Sequence, residues 1–563
     1  EMAEPLRIEQ GVVIGGIDHD NPDIHVYNGL PYATARRWTA PDTAPQWGAI
    51  PRDARKFGAE CLQPRAGLGG FVNGIVEGVG LPWWKRFMAE KYLAAQPSPP
   101  ESETCLFLNV RSGNMRGDTP VPVMVWIHGG SHQAGSGSTS IYQSNGLVEK
   151  GVVLVTINYR LGPLGYLAHP ALTEADGTSG NYGLMDQMAA LQWVRHNIAS
   201  FGGDPENITV FGESAGAQSV TELMASPLAV GLFDKVILES GSSSYNAIHL
   251  RKSPLSTVRS AEDVGTEFLS TLAPPAATAD TLRAIPAAAI ISRAEARSDL
   301  TGYFLPNVDG KVLPEMIGKA IRDGEVPRLP MLAGYNADEG SLFYGEMKTP
   351  TVLSKQMTGS LEDRETALAD VFGDNPAKAL QSLYGMESLE TWDAGATDML
   401  GDDMFGVHMR FIGKHNADAS QPTWLYMFSR TWPSKHQTIG AYHSAEIPFV
   451  FDSHSPLLPI SHADEMLTEA MTSYWTNFAR TGNPNGEGVP EWPRYTSETD
   501  KWMELHYPLE VRREMRARKL DILEESLNNR IDAVTEIIAP RDMALNAEPA
   551  PALGDEEAVA DSN

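Results

Sequence analysis

Cysteine is nearly absent: a chain of 563 residues carries two, Cys61 and Cys105. One pair allows a single disulfide or two inert thiols, and no metal site can be built from it. Basic residues are the next shortage, with 44 Lys and Arg against 72 Asp and Glu and a formal net charge of −28. A phosphate backbone asks for a basic face, so no nucleic-acid partner is expected, and the acidic excess otherwise bears only on solubility. No run of eighteen apolar residues occurs, so no transmembrane segment is expected. The N-terminus, Glu1-Met2-Ala3-Glu4-Pro5, lacks a basic stretch followed by an apolar one; a signal peptide has either been removed or never existed. No dinucleotide fingerprint in strand–helix context, P-loop or zinc-ligand cluster is visible. Neither a cofactor nor a metal is therefore expected.

Hydrophobic residues are plentiful, at 42% with 8% aromatic, which is ample for a large core. Short β-branched runs at 122–127, 152–158, 208–211, 235–239, 330–334 and 423–428 read as buried strands. Amphipathic stretches lie between them. In the clearest, Leu184, Met188, Leu191, Arg195 and Ile198 follow helical spacing, and only Arg195 breaks the apolar stripe. Such alternation predicts an α/β fold with a mostly parallel sheet covered on both faces. Residues 1–60 read as a short β-rich start, with strands at 11–14 and 25–27. We expect one domain over 1–539. A tail over 540–563, rich in Ala, Pro, Glu and Asp, is expected to be disordered. Before it, Leu520, Leu523, Leu527, Ile531 and Val534 mark an amphipathic helix that either packs on the core or serves an oligomer contact. Monomer and homodimer both remain open.

The chemistry gathers at Gly212-Glu213-Ser214-Ala215-Gly216, between the strand at 208–211 and a helix-prone run at 217–224. A nucleophile elbow needs this context: a tight strand-to-helix turn holds the serine in a strained conformation, with small neighbours letting backbone approach. Ser214 is the expected nucleophile. Upstream, His128-Gly129-Gly130-Ser131-His132 leaves another buried strand. It reads either as an ordinary Gly-Gly turn or as an oxyanion loop; in the second reading Gly130, Ser131 and Ala215 supply the N–H donors.

Taken in order, these segments resemble the type-B carboxylesterase and cholinesterase-like family from about residue 10 to residue 500. VYNGLPYA over 26–33, ETCLFLNV over 103–110, NYRLGPLG over 158–165, NYGLMDQ over 181–187, FGGDP over 201–205 and WTNFARTGNPN over 475–485 are each similar to a family motif. The resemblance implies an α/β-hydrolase fold and a serine carboxylic-ester hydrolase whose partners are a small-molecule ester and water. NADEGSLF over 336–343 is similar to the segment carrying the family's acid and points to Glu339; GAYHSAEIPFVF over 440–451 points to His443 as the base. The order Ser, acid, His, each on a loop after a strand, is that of the fold. Glu213 and Glu446 are expected beside the reacting groups rather than among them, and Arg160 with Asp186 as an internal ion pair.

The chain departs from the family at Ser131-His132, where the family has HGGGF or HGGAF. Either His132 helps recognise a polar or acidic acyl group, or the change is a tolerated variant. Cys61 and Cys105 align with the family's first disulfide, which would imply an oxidising compartment, periplasmic or secreted. The segment they enclose, over 62–104, carries Phe71, Ile75, Val79, Leu81, Trp83, Trp84, Phe87 and Tyr92. It is expected either as a purely structural flap or as a partial lid, with Trp83 and Trp84 contacting substrates that have a long or bulky apolar part. A non-catalytic adhesion module of the same fold is the alternative from another class, disfavoured because Ser214, Glu339 and His443 are all present. Amidase, thioesterase and lactonase activities would use the same groups.

Overall fold

The structure is a computed structural model that describes residues 1–64, 69–95, 98–344, 358–458 and 460–537. An eleven-stranded sheet organises the chain. Numbered along the sequence, its strands are β1 (Gly16–Ile17), β2 (His25–Pro31), β3 (Phe107–Ser112), β4 (Val121–Ile127), β5 (Val153–Ile157), β6 (Gly203–Glu213), β7 (Lys235–Glu239), β8 (Met331–Asn336), β9 (Thr423–Phe428), β10 (Lys501–Leu505) and β11 (Glu510–Arg513). Across the sheet they run β11-β10-β9-β8-β7-β6-β4-β5-β3-β2-β1. The interior, from β5 through β4 and β6 to β10, is parallel, and antiparallel strands close both edges. This is the α/β-hydrolase architecture.

The central strands read as unbroken apolar runs because both faces are covered. β5, β7, β8 and β9 are buried at every position. One apolar layer rests on helix α3 (Tyr182–Asn197) and helix α4 (Ala215–Ala225); the other rests on the long helix over His462–Thr481. Along α3 and at Ile198 just after it, Leu184, Met188, Leu191 and Ile198 are buried and Arg195 reaches Asp234, in keeping with the helical spacing. Arg160 grips Asp186 through Nε and an Nη2 contact of 2.7 Å, the expected internal pair. Near the C-terminus, a helix over Ala517–Ile537 buries Leu520, Leu523, Leu527, Ile531 and Val534 completely against the core. The expected tail over 540–563 lies outside the described residues.

Parallel strands joined by crossover helices present all their C-terminal ends on one edge, which is where such sheets place ligands. The loops after β4, β6, β7, β8 and β9 therefore open onto a common region.

Candidate active site

The turn from β6 into α4 is tight. Ser214 adopts φ 55°, ψ −122°, outside both the helical and extended regions, and its N–H donates to the Glu239 carbonyl at 2.9 Å. The flanking glycines follow from contact distances. A Cβ on Gly216 would lie 1.9 Å from the Ile127 carbonyl oxygen, and one on Gly212 would lie 2.6 Å from the Gly216 carbonyl carbon. No larger residue fits either position without moving β4. Ala215 is the first residue of α4, so its N–H has no acceptor within the helix and points out of the helix's positive end.

Glu339 follows β8, and His443 lies on the long loop after β9. Their side chains meet: His443 Nδ1 is 2.6 Å from Glu339 Oε2. Two further donors orient Glu339, the Asn336 N–H at 2.8 Å and the Ser240 hydroxyl, both on Oε1. Asp338 ties the two loops together, accepting the Ala441 N–H at 2.8 Å while its own N–H donates to the Ala441 carbonyl. The other ring nitrogen of His443, Nε2, lies 3.1 Å from Glu213 Oε1, so it faces the elbow; Ser444 Oγ–H donates to the same oxygen at 2.7 Å. Burial would lower the His443 pKa, but Glu213, Glu339 and Glu446 outweigh it and push it up to about 9. Burial raises Glu213 itself, against the pull of His443.

The loop after β4 comes back over the elbow. A Cβ on Gly129 would be 3.2 Å from the Ser214 Cβ, which places this loop against the serine. Gly130 takes φ 114°, and a Cβ there would strike the Ala134 carbonyl at 2.0 Å. Ser131 and His132 follow at φ 57° and 59°, in a region non-glycine residues rarely occupy. Among the described residues, the N–H groups of Gly130, Ser131 and Ala215 have no protein acceptor.

His132 is buried edge-on against Tyr166 with Nδ1 unpartnered, and burial lowers its pKa to about 4. Its ring is therefore neutral near pH 7 and offers hydrogen bonds, not charge.

The segment between the cysteines is not a loop. It forms two helices, α1 (Gly69–Gly78) and α2 (Trp83–Ala95), and Cys61 and Cys105 are joined by a disulfide. The Gly78 carbonyl accepts the Thr438 N–H at 2.8 Å, and Gly78 closes on the Ile439 side chain. Through these contacts α1 rests on the His443 loop. Phe71 reaches within 6.0 Å of the His443 ring and 6.2 Å of Phe343. Phe343 and Phe405 complete an aromatic collar: Phe405 stacks on the imidazole at 4.5 Å and Phe343 meets it edge-on at 5.2 Å. Trp83 and Trp84 are not part of this collar. On α2 they are turned outward, 81% and 48% exposed.

Phe405, Ser240 and Asn336 escaped the sequence reading. Phe405 lies in a π-helical turn over Asp402–Gly406, a local widening that sequence periodicity does not reveal. Ser240 and Asn336 stand at the C-terminal ends of β7 and β8, and that edge position was the available signal.

The model of the carboxylesterase family matches residues 3–523. The para-nitrobenzyl esterase of Bacillus subtilis is 34% identical over 516 residues, covering 88% of this chain and 94% of its own. The fumonisin B1 esterase of Sphingopyxis macrogoltabida is 31% identical over 502 residues, covering 85% and 83%. Among solved structures, a para-nitrobenzyl esterase superposes with a TM-score of 0.74 at 31% identity, over 92% of this chain and 99% of its own. A carboxylesterase of Geobacillus stearothermophilus does so with a TM-score of 0.74 at 29% identity, over 92% and 100%. The chain thus belongs to the carboxylesterase family and is a carboxylic ester hydrolase.

Proposed function

We propose that this hydrolase works through an acyl-enzyme, with Ser214 as nucleophile, His443 as general base and acid, and Glu339 as the group that orients the imidazole. The observation that carries the reading is the His443–Glu339 contact of 2.6 Å beside a serine at φ 55°. His443 takes the Ser214 proton on Nε2 as Oγ attacks the ester carbonyl. The tetrahedral oxyanion is received by the N–H groups of Gly130, Ser131 and Ala215, each worth about 3–4 kcal/mol of barrier. His443 then protonates the departing alcohol, and water, deprotonated by the same ring, releases the acid.

The collar of Phe71, Phe343 and Phe405 favours esters with a bulky or long apolar part, and α1 with α2 serves as a partial lid. Next to the oxyanion loop, His132 offers a neutral hydrogen-bonding ring to a polar acyl group. We take residues 1–539 as one catalytic domain. The disulfide supports an oxidising location, periplasmic or secreted. A panel of p-nitrophenyl esters with short, long and acidic acyl groups tests this reading, with Ser214→Ala as control. The wild type is expected to prefer the longer acyl chains and the variant to lose turnover. His132→Phe should shift the ratio of polar to apolar acyl rates; an unchanged ratio removes His132 from specificity.

A further inference from the structure

Behind the elbow lie four buried carboxyls: Glu213, Glu339 and Glu446 act on the single imidazole of His443, and Glu239 lies beside Glu446. Four carboxylates against one cation cannot all stay ionised in a dry interior. The hydrogen bonds separate them. Glu339 receives Ser240 Oγ–H, Asn336 N–H and His443 Nδ1–H. Glu213 receives Ser444 Oγ–H and faces His443 Nε2. Such donors stabilise the anion in both cases. Glu239 and Glu446 differ. Each takes one N–H on Oε2, from Trp475 Nε1 at 3.2 Å and from Asn336 Nδ2 at 2.6 Å, and each keeps Oε1 buried without a partner. The two carboxyls are within hydrogen-bonding reach of each other.

We propose that Glu239 and Glu446 share one proton throughout the pH range of catalysis, forming a positioning pair that holds one negative charge, not two, behind His443. One O–H donated from one carboxyl to the other would satisfy both, where two bare carboxylates would repel. Burial first, and then the charges of Glu446 and Glu213, hold Glu239 well above the usual carboxylate range; burial, Glu213 and Glu339 raise Glu446 in the same direction. The remaining titratable groups facing the pair are Tyr142, Tyr426 and Tyr442, all raised by burial and therefore neutral phenols. The pair is also tied to the reacting groups. The Glu239 backbone carbonyl accepts the Ser214 N–H, and Asn336 bonds Glu446 through its side chain and Glu339 through its N–H. A second negative charge here would raise the His443 pKa further and keep the ring protonated, unable to act as a base.

The inference rests on His443 being the base, and its test is built to fail separately from that assignment. In E239Q or E446Q the amide donates to the remaining carboxylate, so the charge stays at one and the acid limb of kcat/KM for p-nitrophenyl acetate keeps its position. E239Q/E446Q removes that charge, and the limb moves to lower pH by about one unit. A full downward shift in E239Q alone means both carboxyls were ionised; an unmoved limb in the double variant means both were protonated. Either result overturns the proposal. Infrared difference spectra on protein with labelled glutamate need no turnover. A protonated-carboxyl band present at pH 7 in wild type and lost in E239Q supports the shared proton, and a wild-type spectrum without that band refutes it.

Discussion

At the scale of single residues, the account turns on how His443 is held. Its imidazolium is stabilised by Glu213, Glu339 and Glu446, so the folded pKa is raised from 6.5 to about 9. The sign has two consequences. The stabilising contribution is fully present below about pH 6.5 and is lost as pH rises through about 9. Base catalysis needs the neutral ring, so kcat/KM should rise with pH along a limb lying above the ordinary histidine value. Glu339→Gln should lower kcat by about 10⁴-fold, since the wrong tautomer is then favoured, and should move that limb to lower pH; stopped-flow profiles check both. Much of this scale was legible in sequence. GESAG, NADEGSLF and GAYHSAEIPFVF each name one group by motif. Ser240 and Asn336 were not legible as partners of Glu339, because their role comes from strands β7 and β8 lying side by side, a contact between distant parts of the chain.

At the scale of elements, the strands read well because burial on both faces leaves continuous apolar runs. The strand expected over 235–239 is β7, and that over 423–428 is β9. The strand expected over 208–211 extends to Gly203–Glu213: Gly203 pairs with Val121, and the register shifts across the polar residues 204–207 before Ile208 meets Val123, so apolar content is no guide there. The segment over 62–104 shows no helical signal in the sequence. Its glycines and the pair Trp83-Trp84 hide helical periodicity, and α2 has little inner face to display: Ala89 is its one buried residue. The inward contact of this segment comes from α1. Phe71→Ala should raise KM about tenfold for esters with long acyl chains and leave acetate esters nearly unchanged, measured as steady-state rates over a chain-length series. That factor corresponds to about 1.4 kcal/mol, well within the burial value of one aromatic side chain. Equal effects on acetate and long-chain esters would mean Phe71 supports His443 and contributes nothing to selection.

At the scale of the whole molecule, one sheet gathers five loop-bearing strand ends, and the disulfide anchors the helices that cover them. Closing a loop of 44 residues stabilises the chain by roughly 4 kcal/mol in the chain-entropy description. Replacing Cys61 and Cys105 by serine should therefore lower the urea midpoint, with a free-energy loss of about that size, and should loosen the cover before the sheet. Proteolysis within residues 62–104, ahead of global unfolding, reports this order. No helix among the described residues is long and apolar enough to cross a membrane.

The most direct test of the central claim is covalent labelling by a fluorophosphonate, followed by peptide mass spectrometry. The account predicts one adduct on Ser214, complete loss of ester turnover in step with labelling, and no adduct in Ser214→Ala. Turnover that survives full labelling of Ser214, or an adduct persisting in Ser214→Ala with activity intact, would contradict it.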